Sequence, residues 1–225
     1  MRNLKRYKQN ETSELAEILK NDGVISVPTD TVFGVCARIC SKEAHDNLVR
    51  VKKRPYSKLF PVMCADEEQI KSTALVNEKA ELLIRKFMPG PITLVLPKHP
   101  KLPEYVNNGG PTIAIRMATS KPVEDLIRKT GSPIFMSSAN QSGEPECTSL
   151  DEIEKKCPTL DGMMEGEIAF GKGSTIVDCT SDTIKILREG PISLEQILQA
   201  INNWFLGIII MIANEDIYPW DDGSL

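Results

Sequence analysis

The 225-residue chain reads as a single α/β domain built on a twisted, open, mixed β-sheet with flanking helices. Three observations carry that expectation. Short β-branched runs alternate with segments of helical apolar spacing along the whole chain. No Pro/Ser-rich linker, repeat or low-complexity stretch divides it. Not every strand-to-strand connection contains a helical segment, so the sheet is expected to be mixed rather than purely parallel.

In order, Ser13 followed by Glu14, Leu15, Ala16, Ile18 and Leu19 predicts a helix that ends near Asn21-Asp22-Gly23. Val24–Val27 is a buried strand stopped by Pro28. Lys42–Lys53 returns to helical spacing and stops before Arg54-Pro55, because a residue preceding proline resists the α region. Phe60–Cys64 fits a strand, and Asp66–Ser72 and Asn77–Phe87 fit helices. The latter carries Ala80, Leu83, Ile84 and Phe87 on one face, and Met88-Pro89-Gly90-Pro91 ends it. Ile92–Leu96 and Thr112–Arg116 are apolar strands separated by a loop containing Asn107-Asn108-Gly109-Gly110. Val123–Lys129 is helical, Ile134–Ser137 a strand, Leu150–Lys156 a helix, Ser174–Cys179 and Ile184–Arg188 strands, and Leu194–Asn202 a final helix. The apolar run Trp204–Ala213 is too short to span a bilayer core of ~30 Å. The domain is therefore drawn over residues 8–202, with 203–225 an apolar, then acidic tail.

Composition narrows the function classes. With 27 basic and 31 acidic side chains the formal charge is −4, so there is no global attraction for a phosphate backbone, and nucleic-acid contact would need a local basic patch. The six cysteines are too sparse for a disulfide scaffold, and Met1–Asn10 is polar throughout, so a reducing cytoplasm and no membrane association are expected. Cys36 and Cys40 find no second half-site in His45 or His99, which argues against zinc. Gly166 to Gly171 with Lys172 satisfies the start of a phosphate-cradling loop, but Gly173 stands where Ser or Thr should hold magnesium. Leu160–Glu165 does not read as a strand before it, and no clear helix comes after it.

Four polar clusters fall at the ends of expected strands, where open α/β sheets place ligands. They are Thr29-Asp30-Thr31, then Lys52-Lys53-Arg54 with Lys58, then Ser138 and Asn140 in Ser137-Ser138-Ala139-Asn140, and Ser174 with Arg188 beyond it. Arg116 ends another strand. Each also has a structural reading: turn and cap residues for the hydroxyl groups, a solvated helix end for the lysines, a surface pair for Arg188. Together they give several cations and hydroxyls without histidine or an activated nucleophile, a set suited to binding a polyanion rather than to covalent catalysis.

In order, VPTDTVFG, KKRP with Lys58, MPGPITLVLP, TIAIR, SSANQSG, GSTIVD and ILREG resemble the motif series of the YrdC family of threonylcarbamoyladenylate synthases, from about Gly23 to Gly190. Phe33 stands where relatives often carry Tyr, and Leu59 where Pro or Gly is usual. The resemblance implies a YrdC/RibB-like fold with a positively lined concave face. It implies formation of threonylcarbamoyl-AMP and pyrophosphate from L-threonine, bicarbonate or CO₂, and ATP with Mg²⁺, for the threonylcarbamoyl-adenosine (t6A) of tRNA. A threonylcarbamoyl transferase complex would act downstream. By position, Lys52, Arg54, Lys58, Ser138, Asn140 and Arg188 would face ATP. Thr31, Arg116 and Ser174 would face threonine, with Arg116 forking onto its carboxylate. A double-stranded RNA or tRNA-binding module without synthase activity is the alternative, and weak direct RNA binding is compatible with either. The carbamoyl-transfer module of hydrogenase maturation is disfavoured, because it sits in a much longer chain with zinc-finger-like cysteine pairs.

Overall fold

A computed structural model describes residues 4–169, 171–181, 183–202 and 210–212. The strands are β1 (Arg6–Tyr7), β2 (Ile25–Pro28), β3 (Phe33–Arg38), β4 (Val62–Cys64), β5 (Ile92–Pro97), β6 (Thr112–Met117), β7 (Ile134–Ser138), β8 (Gly162–Met164), β9 (Thr175–Asp178), β10 (Ile184–Arg188) and β11 (Ile210–Ile212). The helices are α1 (Thr12–Lys20), α2 (Lys42–Lys52), α3 (Glu67–Thr73), α4 (Glu78–Phe87), α5 (Lys121–Thr130), α6 (Leu150–Lys156) and α7 (Leu194–Asn202), with a 3₁₀ turn at Glu104–Asn107. All described strands join one sheet in the order β1-β8-β2-β3-β7-β4-β6-β5-β9-β10-β11. Its pairings are mixed, as expected: β4–β6 and β5–β9 run parallel, while β2–β3, β3–β7 and β5–β6 run antiparallel.

Alternation along the strands sends side chains to two cores. Val35, Val62 and Phe135 join the larger cluster with residues of α2, α4, α6 and α7. Cys36, Met63, Ile134 and Met136 join the smaller one with α1 and α5. Local signals set several ends. Ser41 caps α2 by accepting from Ala44 N at 3.3 Å, and Asp66 and Asn77 cap α3 and α4 in the same way. Gly131 closes α5 at φ 79°, a left-handed position that only glycine takes without cost.

Four features differ from the sequence reading. Strand β3 occupies a stretch to which the sequence reading assigns no element; it is buried along nearly its whole length, so no polar alternation marks it, and Gly34 lets it pass Met136, whose Sδ would lie 2.3 Å from an added Cβ. Strand β8 does lie just before Gly166, although Leu160–Glu165 lacks a strand pattern; beyond Lys172 the chain enters strand β9 rather than a helix, so a nucleotide-loop geometry remains unmet. Strand β1 pairs with β8 ahead of residue 8. In the tail, β11 pairs parallel with β10, and the rest of 203–225 lies outside the described residues. Among the described residues no helix is long and apolar enough to cross a membrane.

Candidate active site

The α1–α5 face of the sheet carries an open cleft. Met63 and Met136 of the smaller core form part of its floor. Register explains what stands on that floor: Arg116 is the cross-strand partner of Met63, and Ser138 lies two residues beyond Met136, so all four share a face.

Six of the nine expected residues line this cleft: Thr31, Arg54, Arg116, Ser138, Ser174 and Arg188. They come from sequence positions 157 apart (188 − 31). Lys52, Lys58 and Asn140 do not line it. Lys52 is fully buried, and its ammonium donates to the Ser138 carbonyl at 2.6 Å and to Asn140 Oδ1 at 2.7 Å. Asn140 Oδ1 also accepts from Ser138 Oγ at 2.7 Å. Both residues therefore brace the Ser138 turn from beneath. Lys58 is half-buried and offers its carbonyl to Arg54.

Arg54 reaches the cleft because Lys53 ends α2 in the left-handed region, at φ 49°. Its Nε and Nη2 donate to the carbonyls of Lys58 and Leu59 at 3.1 and 2.7 Å, and its guanidinium lies 4.9 Å from the Phe60 ring centroid. The loop that the sequence marks with lysines is thus wrapped around an arginine. Arg188 donates through Nε and Nη2 to the Ser174 carbonyl at 3.1 and 3.0 Å. The Ser174 hydroxyl is 2.7 Å from that of Thr93, a cleft residue that sequence reasoning missed, although a lone threonine inside the apolar Ile92–Leu96 run was a signal.

Arg116 differs most from expectation. Its Nη2 pairs with the Asp30 carboxylate and its Nη1 donates to Thr31 Oγ1 at 2.8 Å, so the fork is engaged inside the protein. The buried Nε has no hydrogen-bond partner. Burial pushes the guanidinium's pKa down from its ordinary value, the Asp30 carboxylate opposes this, and the nearby Arg188 charge adds to the lowering. The Thr29–Thr31 turn is tied from outside too: Ala169 N and Gly171 N donate to the carbonyls of Asp30 and Thr31 at 3.2 and 2.8 Å. Glu146, unmarked by the sequence reading, is the only carboxylate side chain among the described cleft-lining residues.

The cleft thus presents three guanidiniums and several hydroxyls around an apolar floor, and among the described residues no group of three or more His, Cys, Asp or Glu is placed to hold a metal. Cys36 is buried and Cys40 exposed, each a free thiol.

Comparison with known proteins agrees with this architecture. The chain is 34 % identical over 194 residues to the threonylcarbamoyl-AMP synthase of Bacillus subtilis, covering 83 % of this chain and 55 % of that one. It is 33 % identical over 193 residues to the threonylcarbamoyl-AMP synthase of Pyrococcus abyssi, again covering 83 % of this chain but 56 % of the relative. It therefore spans little more than half the length of these two, but 92 % of a Methanocaldococcus jannaschii relative to which it is 32 % identical. Among solved structures, P. abyssi Sua5 complexed with L-threonine superposes with a TM-score of 0.84 at 29 % identity, over 92 % of this chain and 62 % of that one. E. coli YciO shares the fold, with a TM-score of 0.78 over 88 % of this chain and the whole of the other. A family model described as telomere recombination, Sua5/YciO/YrdC, matches residues 17–190. With that match covering most of the sheet and every side chain placed at the cleft, the chain belongs to the Sua5/YciO/YrdC family.

Proposed function

We propose that this chain forms L-threonylcarbamoyl-AMP and pyrophosphate from L-threonine, bicarbonate or CO₂, and ATP, supplying the activated group for the t6A modification of tRNA through a downstream transferase. The observation that carries the reading is the convergence of Arg54, Arg116 and Arg188 with Thr31, Ser138 and Ser174 on one cleft, in a chain whose curated relatives bear that activity in their names. The reaction needs little covalent help from a protein. A carbamate formed on the threonine amine attacks the α-phosphorus of ATP, and pyrophosphate leaves with the negative charge. The tasks are to hold two anions together and to neutralise the leaving group, and guanidiniums fixed around one cleft do both.

In this reading Arg54 and Ser138 serve the phosphates, with Lys52 and Asn140 acting through the Ser138 turn. Thr31, Ser174 and Arg116 serve the amino acid, and Arg188 stands between the two groups. Magnesium would arrive with the triphosphate and supply further charge neutralisation. The donor set fits that role, because Mg²⁺ is commonly held by one or two carboxylates plus substrate phosphates and Glu146 offers one carboxylate.

The test is incubation with ATP, bicarbonate and each amino acid in turn, monitoring pyrophosphate. Release should require threonine and bicarbonate together and should fall on chelation of divalent cations. Equal release from ATP alone removes the synthase reading. Salt-dependent RNA affinity without any release would favour an RNA-binding module instead.

A further inference from the structure

The Thr29–Thr31 turn contains a chain of hydrogen bonds whose direction is fixed at one end. Thr29 Oγ1 lies 2.6 Å from the carbonyl oxygen of Val32. A carbonyl has no proton, and two oxygens at that distance repel unless one lies between them, so the Thr29 hydroxyl donates there. Thr29 Oγ1 also lies 2.9 Å from Thr31 Oγ1. With the Thr29 proton committed, the donor in this second bond is Thr31. One lone pair of Thr29 Oγ1 takes that proton, and the backbone N–H groups of Thr31 and Val32, each at the longer distance of 3.2 Å, share the other.

Thr31 then has no proton left to offer. Its oxygen accepts from Arg116 Nη1 at 2.8 Å, which leaves one lone pair on a hydroxyl that lines the cleft. An ordinary threonine hydroxyl rotates to donate or accept as a ligand requires. This one is held by a residue on each side. Ser174 is different, because either oxygen of its contact with Thr93 can be the donor.

We propose that Thr29 is a positioning residue that fixes Thr31 as a hydrogen-bond acceptor, so that the part of the bound amino acid meeting Thr31 is a donor, an amine N–H or an alcohol O–H, and not its carboxylate. The inference rests on the reading of this cleft as a threonine site. It orients the substrate: a carboxylate against Thr31 would face a lone pair, so the anionic end must lie away from the Thr29–Thr31 turn.

Calorimetric titration tests it, using L-threonine, L-2-aminobutyrate (no hydroxyl) and 3-hydroxybutyrate (no amine) as probes on the wild-type chain, Thr29→Val and Thr29→Ser, with ATP as control. Thr29→Val should weaken L-threonine by about tenfold, Thr29→Ser by no more than about twofold, and neither should change ATP affinity. The analogue lacking the group that meets Thr31 should bind wild type and Thr29→Val alike, which also tells amine from alcohol. Thr31→Val should give the same pattern and replaces Thr29→Val should the latter not fold. Unchanged threonine affinity in Thr29→Val, or equal weakening of all three probes, would overturn the proposal. Absence of threonine binding by the wild-type chain would instead remove the synthase reading, and this inference with it.

Discussion

Lys52→Met separates two ways in which a buried lysine can serve an anion site. The substitution keeps the stem of the side chain and removes an ammonium that donates to the Ser138 carbonyl and to Asn140 Oδ1. The two bonds lost are charge-assisted, and their loss is partly offset because an ammonium with no exposed surface no longer has to be desolvated, at several kcal/mol. Asn140 Oδ1 keeps its bond from Ser138 Oγ, so the Ser138 carbonyl is what loses a donor, at about 1–3 kcal/mol. For a chain of this length that corresponds to a fall in Tm of roughly 3–10 °C. Because Lys52 braces Ser138 from below, ATP affinity should fall with stability, by about tenfold for a loosened hydrogen-bonding residue. Thermal denaturation and ATP titration of the same preparation measure both. A variant that melts within about 1 °C of wild type but no longer binds ATP would refute the argument, since the ammonium would then act on phosphate and not through the turn.

The site and the core each give one further expected outcome. Arg116→Lys keeps the charge but cannot serve Asp30 and Thr31 with a planar fork, so threonine affinity should fall by about 10–150-fold while ATP affinity stays within about twofold; a change confined to ATP would reassign Arg116 to the phosphates. His45 sits buried among the rings of Tyr56, Phe60, Tyr105 and Phe135, and that burial lowers its pKa below 6.5 despite the neighbouring Asp46. The neutral form is thus favoured in the folded chain, so its stabilising contribution is complete above 6.5 and is lost as pH falls towards the lowered value. Tm against pH should decline more steeply on the acid side in wild type than in His45→Gln, and parallel curves would contradict the assignment.

The sequence displays elements with strong local signals. Helices Leu150–Lys156 and Leu194–Asn202 and strand Ile184–Arg188 have the bounds that their spacing predicts. Phe33–Arg38 is hidden because burial on both faces erases the period-two pattern, and Gly162–Met164 because three residues carry no period at all. At the cleft, motif order names residues of which six line one wall, but it cannot tell which ones touch the open space. Lys52-Lys53-Arg54 looks like one solvated run, yet a single left-handed residue sends Lys52 into the interior, Lys53 to solvent and Arg54 to the cleft wall. The engagement of Arg116 by Asp30 is invisible for another reason. It joins positions 86 residues apart, and only strand pairing decides that they meet.

The wall of the cleft also bears on how the chain could be divided. Its residues come from β3, β4, β5, β6, β7, β9 and β10 and their flanking turns, which are consecutive in the sheet but scattered in sequence. A break in the segment between Asn140 and Leu150 would leave Thr31, Arg54, Arg116 and Ser138 on one fragment, and Ser174 and Arg188 on the other. Neither fragment would hold a smaller version of the pocket, because β5 receives β9 alongside it only when both halves are present. Ligand would therefore act as a glue between the pieces, and recovery of binding on mixing would report their reassembly directly.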